Sequence, residues 1–183
     1  MQQKITLLSL LGLVLLNTGC GSYWKLTESE TLRTRHYSLS APREWMSYRQ
    51  GSSILLSKHG PTLEHIIVLR HNLAAPLPLT SIALYTGMLP HELGELIVYR
   101  LIAAPGISNV ILLDESVEKV DGRDAVKVTV QYTLNEATRV DVVYSFTEGT
   151  YLYELRYSAV LRHYYGEYLE VFRGVVKDFK LRK

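Results

Sequence analysis

Val110–Ala159 reads VILLDESVEKVDGRDAVKVTVQYTLNEATRVDVVYSFTEGTYLYELRYSA, and its punctuation decides the fold. Asp121-Gly122, set between two alternating runs, is the strongest hairpin signal in the chain. Beyond it Arg123–Leu134 alternates: Val126, Val128, Val130 and Tyr132 fall on one side, Ala125, Lys127, Thr129 and Gln131 on the other. Asn135-Glu136-Ala137 turns the chain into Arg139–Thr147, with Val140, Val142, Tyr144 and Phe146 inward. Gly149 turns it again into Tyr151–Ala159, where Tyr151, Tyr153, Leu155 and Tyr157 share a face. Such alternation predicts an antiparallel meander with one face buried. Val110–Val120 leads into it as a strand or two.

Outward from the meander, the C-terminal side predicts a helix from about Tyr164 to Lys180, with Tyr165, Leu169, Phe172, Val176 and Phe179 in one stripe. On the N-terminal side Pro90 opens another helix, as proline can at a first helical position. Its apolar face is Leu89, Leu93, Leu96, Ile97 and Leu101, and Pro105-Gly106 stops it. Further back, His36–Ser40, Trp45–Arg49, Ser53–Lys58 and Glu64–His71 read as short strands, divided by Ala41-Pro42, Gly51-Ser52 and His59-Gly60-Pro61. Two helices and about six strands predict one α+β domain over residues 36–183, an antiparallel sheet flanked by helices in an α/β/α sandwich.

The order of these pieces resembles the PsbP-like fold. The matching pieces are Tyr37-Ser38-Leu39-Ser40-Ala41-Pro42 with Trp45, then Asp121-Gly122-Arg123-Asp124-Ala125. Tyr151 to Ala159 and Val175-Val176-Lys177-Asp178-Phe179 with Phe172 complete the set. The likeness covers roughly residues 36–181. That fold is shared by photosystem II extrinsic proteins, Mog-type Ran-binding factors and several bacterial lipoproteins. The chain departs from it at Glu44, where a glycine often precedes the tryptophan, and at Asp178, where a serine often precedes the last phenylalanine. The resemblance implies accessory and assembly roles through surface contacts, with no shared catalytic residues.

The first twenty residues read as an address. Lys4 gives a short positive region, and Ile5–Leu16 is an uncharged run of twelve residues. A spanning helix needs roughly 20 apolar residues, so this run has the length of a signal-peptide core. Asn17-Thr18-Gly19-Cys20 follows at once. The arrangement resembles the bacterial lipoprotein signal, in which the cysteine becomes the lipidated N-terminus, although that pattern usually carries leucine where Asn17 stands. The other reading is an ordinary secretory signal cut near Gly19 or Ser22. The lipoprotein reading predicts a signal peptide over 1–19, lipid on Cys20 and a polar tether over 20–35. Tyr23, Trp24 and Leu26 within that tether either meet the lipid interface or pack on the domain. Gly21 follows the cysteine where aspartate would resemble the inner-membrane retention signal of enteric bacteria. The expected address is therefore the cell envelope, with the outer membrane facing the periplasm favoured.

Composition narrows the function further. The chain of 183 residues has a formal charge of +2, and losing Lys4 with the leader leaves about +1, without the basic excess of a nucleic-acid binder. One cysteine, Cys20, can form no internal disulfide and cannot build a zinc site alone. Six histidines are scattered. His65 and His71 share a strand face, but no spacing marks a metal site, so no metal or cofactor is expected. No Gly-x-Ser-x-Gly or phosphate loop occurs. Asp114 and Glu115 are adjacent on a strand and should diverge, as paired catalytic carboxylates could not. An enzyme is not expected.

Two stretches remain for function. Leu77–Leu89 has neither strand nor helix period, yet holds Leu77, Leu79, Ile82, Leu84, Tyr85, Met88 and Leu89. It is either an exposed contact patch, for a partner protein or lipid, or a buried cover. Among thirteen tyrosines, Tyr144, Tyr153, Tyr157, Tyr165 and Tyr168 either line a stacking cleft for a small ligand or fill the core under the last helix. The sequence thus predicts a membrane-anchored, non-enzymatic accessory or assembly factor with an envelope protein partner. The alternative is a periplasmic small-ligand-binding lipoprotein with a tyrosine-lined cleft.

Overall fold

The computed structural model describes residues 23–77, 80 and 82–182. The leader over 1–19, Cys20 and Leu79 lie outside the described residues. Six strands come first: β1 (Lys25–Leu26), β2 (Thr31–Arg33), β3 (Tyr37–Ser40), β4 (Met46–Gln50), β5 (Ser53–Ser57) and β6 (Glu64–Asn72). Helix α1 (Pro90–Ala103) leads to the meander of β7 (Ile107–Val120), β8 (Arg123–Leu134), β9 (Ala137–Glu148) and β10 (Tyr151–Val160). An irregular turn over Leu161–Tyr165, with His163 at φ 75°, precedes α2 (Gly166–Asp178) and β11 (Lys180–Leu181).

Eight strands form one sheet, in the order β1-β4-β5-β6-β10-β9-β8-β7, and β11-β3-β2 form a second. All pairs are antiparallel. The expected count of about six strands is therefore low. Part of the difference lies in residues 25–35, expected as tether. Lys25 and Leu26 pair with Ser47 and Met46, and Thr31–Arg33 pair with β3. Thr27 is buried and its hydroxyl donates to Trp45 O at 2.9 Å. Strands of two and three residues are too short to show a period.

The meander closes through two-residue turns with positive φ at both positions: Asp121 (49°) with Gly122 (81°), and Asn135 (49°) with Glu136 (66°). These are the turns whose twist matches the strands. They fix the register Val117↔Val126 of β7 on β8 and the register Val126↔Ser145 and Val128↔Val143 of β8 on β9.

That register puts buried residues on both faces. Toward α2 and the small sheet lie Ile66, Val68, Val142, Tyr144, Phe146, Leu155 and Tyr157, packed with Phe172 and Phe179. Toward α1 lie Val126, Val128, Val130, Val143 and Leu152, packed with Leu93, Ile97 and Leu101. The expectation of one buried face fails for a physical reason. Alternation says which residues share a face, and the opposite face is here covered too, its polar residues included: Asp141, Ser145, Glu154 and Ser158 are all buried. Among the described residues no helix is long and apolar enough to cross a membrane.

Candidate functional site

Helix α1 starts where Pro90 has no N–H to lose and Leu89 holds an extended backbone. The Glu92 carboxylate accepts the Leu89 N–H at 2.7 Å and the Tyr85 hydroxyl. The Tyr85 hydrogen bond, then the Leu89 N–H, holds the Glu92 carboxyl below its ordinary range; the same bond raises the Tyr85 phenol. This closes the stretch before α1 onto the helix start.

The helix buries Leu93, Leu96, Ile97 and Leu101 against the sheet. Its apolar residues exceed that stripe. Ile102 is 61% exposed, and Tyr99 is exposed beside it. Together with Ile82, Tyr85 and Met88 from the preceding stretch and Leu112 from β7, they line an open groove of about 550 Å³. Glu92, Glu95 and Glu115 rim it. Glu115 lies across Gly94, where an added Cβ would stand 2.9 Å from its carboxylate. Among the described residues neither Glu95 nor Glu115 forms an ion pair. The groove is an apolar floor with a negative rim, a geometry suited to recognition.

The Leu77–Leu89 stretch divides between its two readings. Leu77, Leu84 and Met88 are buried and belong to the α1-side core, although Met88 also reaches the groove. Ile82, Tyr85 and Leu89 are exposed, and the first two line the groove. The sequence does not single out Tyr99, Ile102 and Leu112. Tyr99 and Ile102 form an apolar pair at i, i+3 on α1 outside its main stripe, which the pattern of a single buried face passes over; Leu112 on β7 carries no such signal.

The tyrosines of the other face are core. Tyr144, Tyr153, Tyr157 and Tyr168 are buried, and Tyr165 stacks on Tyr157 with centroids 6.3 Å apart. Burial pushes the Tyr144 and Tyr168 phenols up to about 12. The Tyr157 hydroxyl donates to Tyr164 O at 2.7 Å. Their rings pack in the space between sheet and α2.

Asp114 and Glu115 diverge as expected. Asp114 and Glu118 reach Lys127 at 3.1 and 2.9 Å, whereas Glu115 turns to α1. His65 and His71 share the α1 side of β6, and the His65 Nδ1 lies 2.8 Å from Pro61 O. Among the described residues no three His, Cys, Asp or Glu side chains are grouped to hold a metal.

No protein-family model matches the chain, and no curated protein sequence matches it. Solved structures do. The chain is similar to the solution structure of cyanobacterial PsbP (CyanoP) from Synechocystis sp. PCC 6803, at 14% identity and TM-score 0.56, over 91% of this chain and 96% of that one. It is similar to the Ran-binding protein Mog1p of Saccharomyces cerevisiae, at 12% identity and TM-score 0.55, over 88% and 96%. A Bacteroides thetaiotaomicron protein matches at 10% identity and TM-score 0.50. That match covers 86% of this chain, which spans half the length of the Bacteroides protein. At these identities the likeness is one of fold: the chain has the α+β fold of PsbP and Mog1p, with a larger sheet than its sequence predicted.

Proposed function

We propose that this chain is a lipid-anchored envelope protein that acts as a non-enzymatic accessory or assembly factor, and that it docks its partner in the groove along α1. The observation that carries the reading is the groove itself: exposed Tyr99, Ile102 and Leu112 on an apolar floor, rimmed by Glu95 and Glu115 without cationic partners among the described residues. Charge complementarity selects the occupant, a protein segment with apolar anchors flanked by Lys or Arg. A rim of carboxylates opposes an anionic lipid surface. The anchor is Cys20, four residues beyond the twelve-residue apolar run Ile5–Leu16. One acyl chain alone holds weakly, and several on one residue hold firmly.

The test is site-specific photo-crosslinking in the full chain, in living cells, with the reactive residue at Tyr99 or, as control, at exposed Glu170 on α2. The expected result is one protein adduct from position 99 only, lost in Ile102→Asp, with the crosslinked peptide carrying Lys or Arg beside apolar residues. Adducts equal at both positions, or adducts to lipid alone, overturn the docking surface. Fatty-acid labelling that persists in Cys20→Ala overturns the anchor and leaves the groove to its own test.

A further inference from the structure

A second hollow opens on the α1 side of the sheet, at the other end of the helix, and its chemistry is ionic. Strands β9 and β10 present Asp141, Glu154, Arg156 and Ser158 to this side. Arg100 meets them from α1, and Tyr132 from β8. Arg100, Asp141, Arg156 and Ser158 line a cavity of about 200 Å³ there, with His65 on its wall and Leu101, Ala104 and Ile107 forming an apolar side; Glu154 is not part of that lining.

The guanidiniums in and beside its lining, Arg100, Arg156 and Arg139, outnumber the carboxylates, Asp141 and Glu154. Glu154, fully buried, accepts from Arg100 and, at 3.4 Å, from Arg156. Asp141 accepts the Tyr132 hydroxyl at 2.9 Å and stands 3.7 Å from the Arg156 guanidinium. Arg139 donates to Thr62 O and, at 3.2 Å, to Ser158 Oγ. Three guanidiniums against two carboxylates leave one positive charge, because burial keeps His65 and His71 toward the neutral form. Among the described residues Arg156 makes a single long hydrogen bond, and its buried Nε has no partner. A guanidinium offers five donors in a fixed fork. One that is mostly buried and short of acceptors is costly unless an anion answers it.

We propose that this cavity binds a small organic monocarboxylate, its carboxylate on the Arg156 and Arg100 guanidiniums and its apolar part against Leu101, Ala104 and Ile107. The planar carboxylate matches the guanidinium fork. A single negative charge balances the cavity, whereas a phosphate near −2 would face Asp141 and Glu154 with charge to spare. The volume is below the roughly 300–1,000 Å³ of sites for drug-sized ligands, so the ligand is small. This site is separate from the docking groove and does not depend on it.

The experiment is calorimetric titration of the full chain in non-ionic detergent with lactate and with benzoate. Lactamide and benzamide serve as uncharged counterparts, and phosphate is titrated at equal ionic strength. At least one acid binds saturably and its amide does not. Arg156→Gln weakens that binding roughly tenfold or more, as loss of a charge-assisted fork should. Because Arg156→Gln leaves buried carboxylates less compensated, Ala104→Leu is the second variant. It fills the apolar wall, keeps every charge, and should weaken binding by a similar factor. Saturation by neither acid, equal binding of the amides, stronger binding of phosphate, or affinity unchanged in Ala104→Leu overturns the proposal.

Discussion

Toward α2 the eight-stranded sheet presents rings; toward α1 it presents aliphatic side chains at one end and ions at the other. On the α2 side Phe146 stacks on Tyr153 at 5.4 Å, Tyr157 stacks on Phe172 at 5.7 Å, and Tyr37 and Phe179 close the set at 5.4 Å. On the α1 side Val126, Val128 and Val130 meet Leu93 and Ile97, and beyond them the cluster of Arg100, Asp141, Glu154 and Arg156 takes over. The covering explains the difference. A helix is about 10–12 Å across with its side chains, and strands stand about 4.8 Å apart, so one helix covers two or three strands. Helix α2 shares its face with the three-stranded sheet. Among the described residues, helix α1 has beside it only the stretch that carries Leu73, Leu77, Leu84 and Met88. The face with less cover is the one that keeps both the groove and the ionic cavity.

The contrast can be broken at its aromatic side first. Phe146, buried between Tyr153 and Phe179, has close-packed neighbours that cannot collapse into the space it leaves. Phe146→Ala is expected to cost about 3–5 kcal/mol in urea unfolding, the largest effect of any prediction here. A loss below about 1 kcal/mol would mean that the rings are not what holds this face.

On the α1 side the comparable change is electrostatic. Glu154→Gln keeps the shape and removes the carboxylate shared by Arg100 and Arg156. Leaving buried charges unpaired costs about 3 kcal/mol or more, so Glu154→Gln should fall just short of Phe146→Ala. The sharper measurement is the triple substitution of Glu154, Arg100 and Arg156 by leucine, which removes the carboxylate together with both guanidiniums that it holds. Replacing ions by apolar groups of similar size is often neutral or stabilising, and recovery of most of the lost stability would show a face whose ions cost what they contribute.

Acid should separate the faces next. Burial lowers the His65 and His71 imidazoles below the ordinary value near 6.5, against the attraction of Asp141 and Glu154 and with the repulsion of Arg139, Arg156 and Arg100. The unfolded chain then takes protons that the folded chain resists. Stability present above about pH 6.5 is therefore lost as the pH falls below it. Glu64, buried on the α2 side, has the opposite sign: burial raises its carboxyl, so acid near the carboxylate range favours the fold there. The melting temperature should fall on acidification from about pH 7.5 to 5.5, and the fall should be smaller in His65→Asn with His71→Gln. An unchanged slope in that variant would clear the histidines of the effect.

How far the sequence disclosed this asymmetry depends on which residues are asked. Asp121-Gly122 announced its turn because few residues tolerate positive φ at two successive positions; Asn135 gave the same signal at one position, while Glu136 holds positive φ without a side chain that favours it, and the strands between the turns followed. Glu154, Arg156 and Ser158 alternate with Tyr153, Leu155 and Tyr157 just as solvated residues would. Period two assigns a side, and only tertiary structure says whether that side is wet. The ionic cavity was invisible for that reason, since its members come from β6, β7, β8, β9, β10 and α1 and none is unusual alone. The groove was half legible. Ile82 and Tyr85 stood in an apolar stretch without period, but their partners Tyr99 and Ile102 lay on a helix whose main stripe already accounted for its burial.

The smallest expected effect lies where α1 touches the groove. Gly94 is buried in the middle of α1, yet its backbone is helical and needs no positive φ. A Cβ there meets only the Glu115 carboxylate group at 2.9 Å among its three nearest atoms. That carboxylate is the far end of a flexible, exposed side chain, so it can swing aside at little cost. Alanine exceeds glycine in a helix interior by about 0.8–1.0 kcal/mol. Gly94→Ala should therefore stabilise the chain by about 0.5–1 kcal/mol in urea unfolding. It should also displace Glu115 from the groove rim and weaken the crosslink from Tyr99 without abolishing it. Destabilisation would mean that α1 lies closer to the sheet edge than the Glu115 contact implies. A stabilised chain with an unchanged crosslink would show that Glu115 takes no part in docking and would leave the charge selection to Glu95 and Glu92.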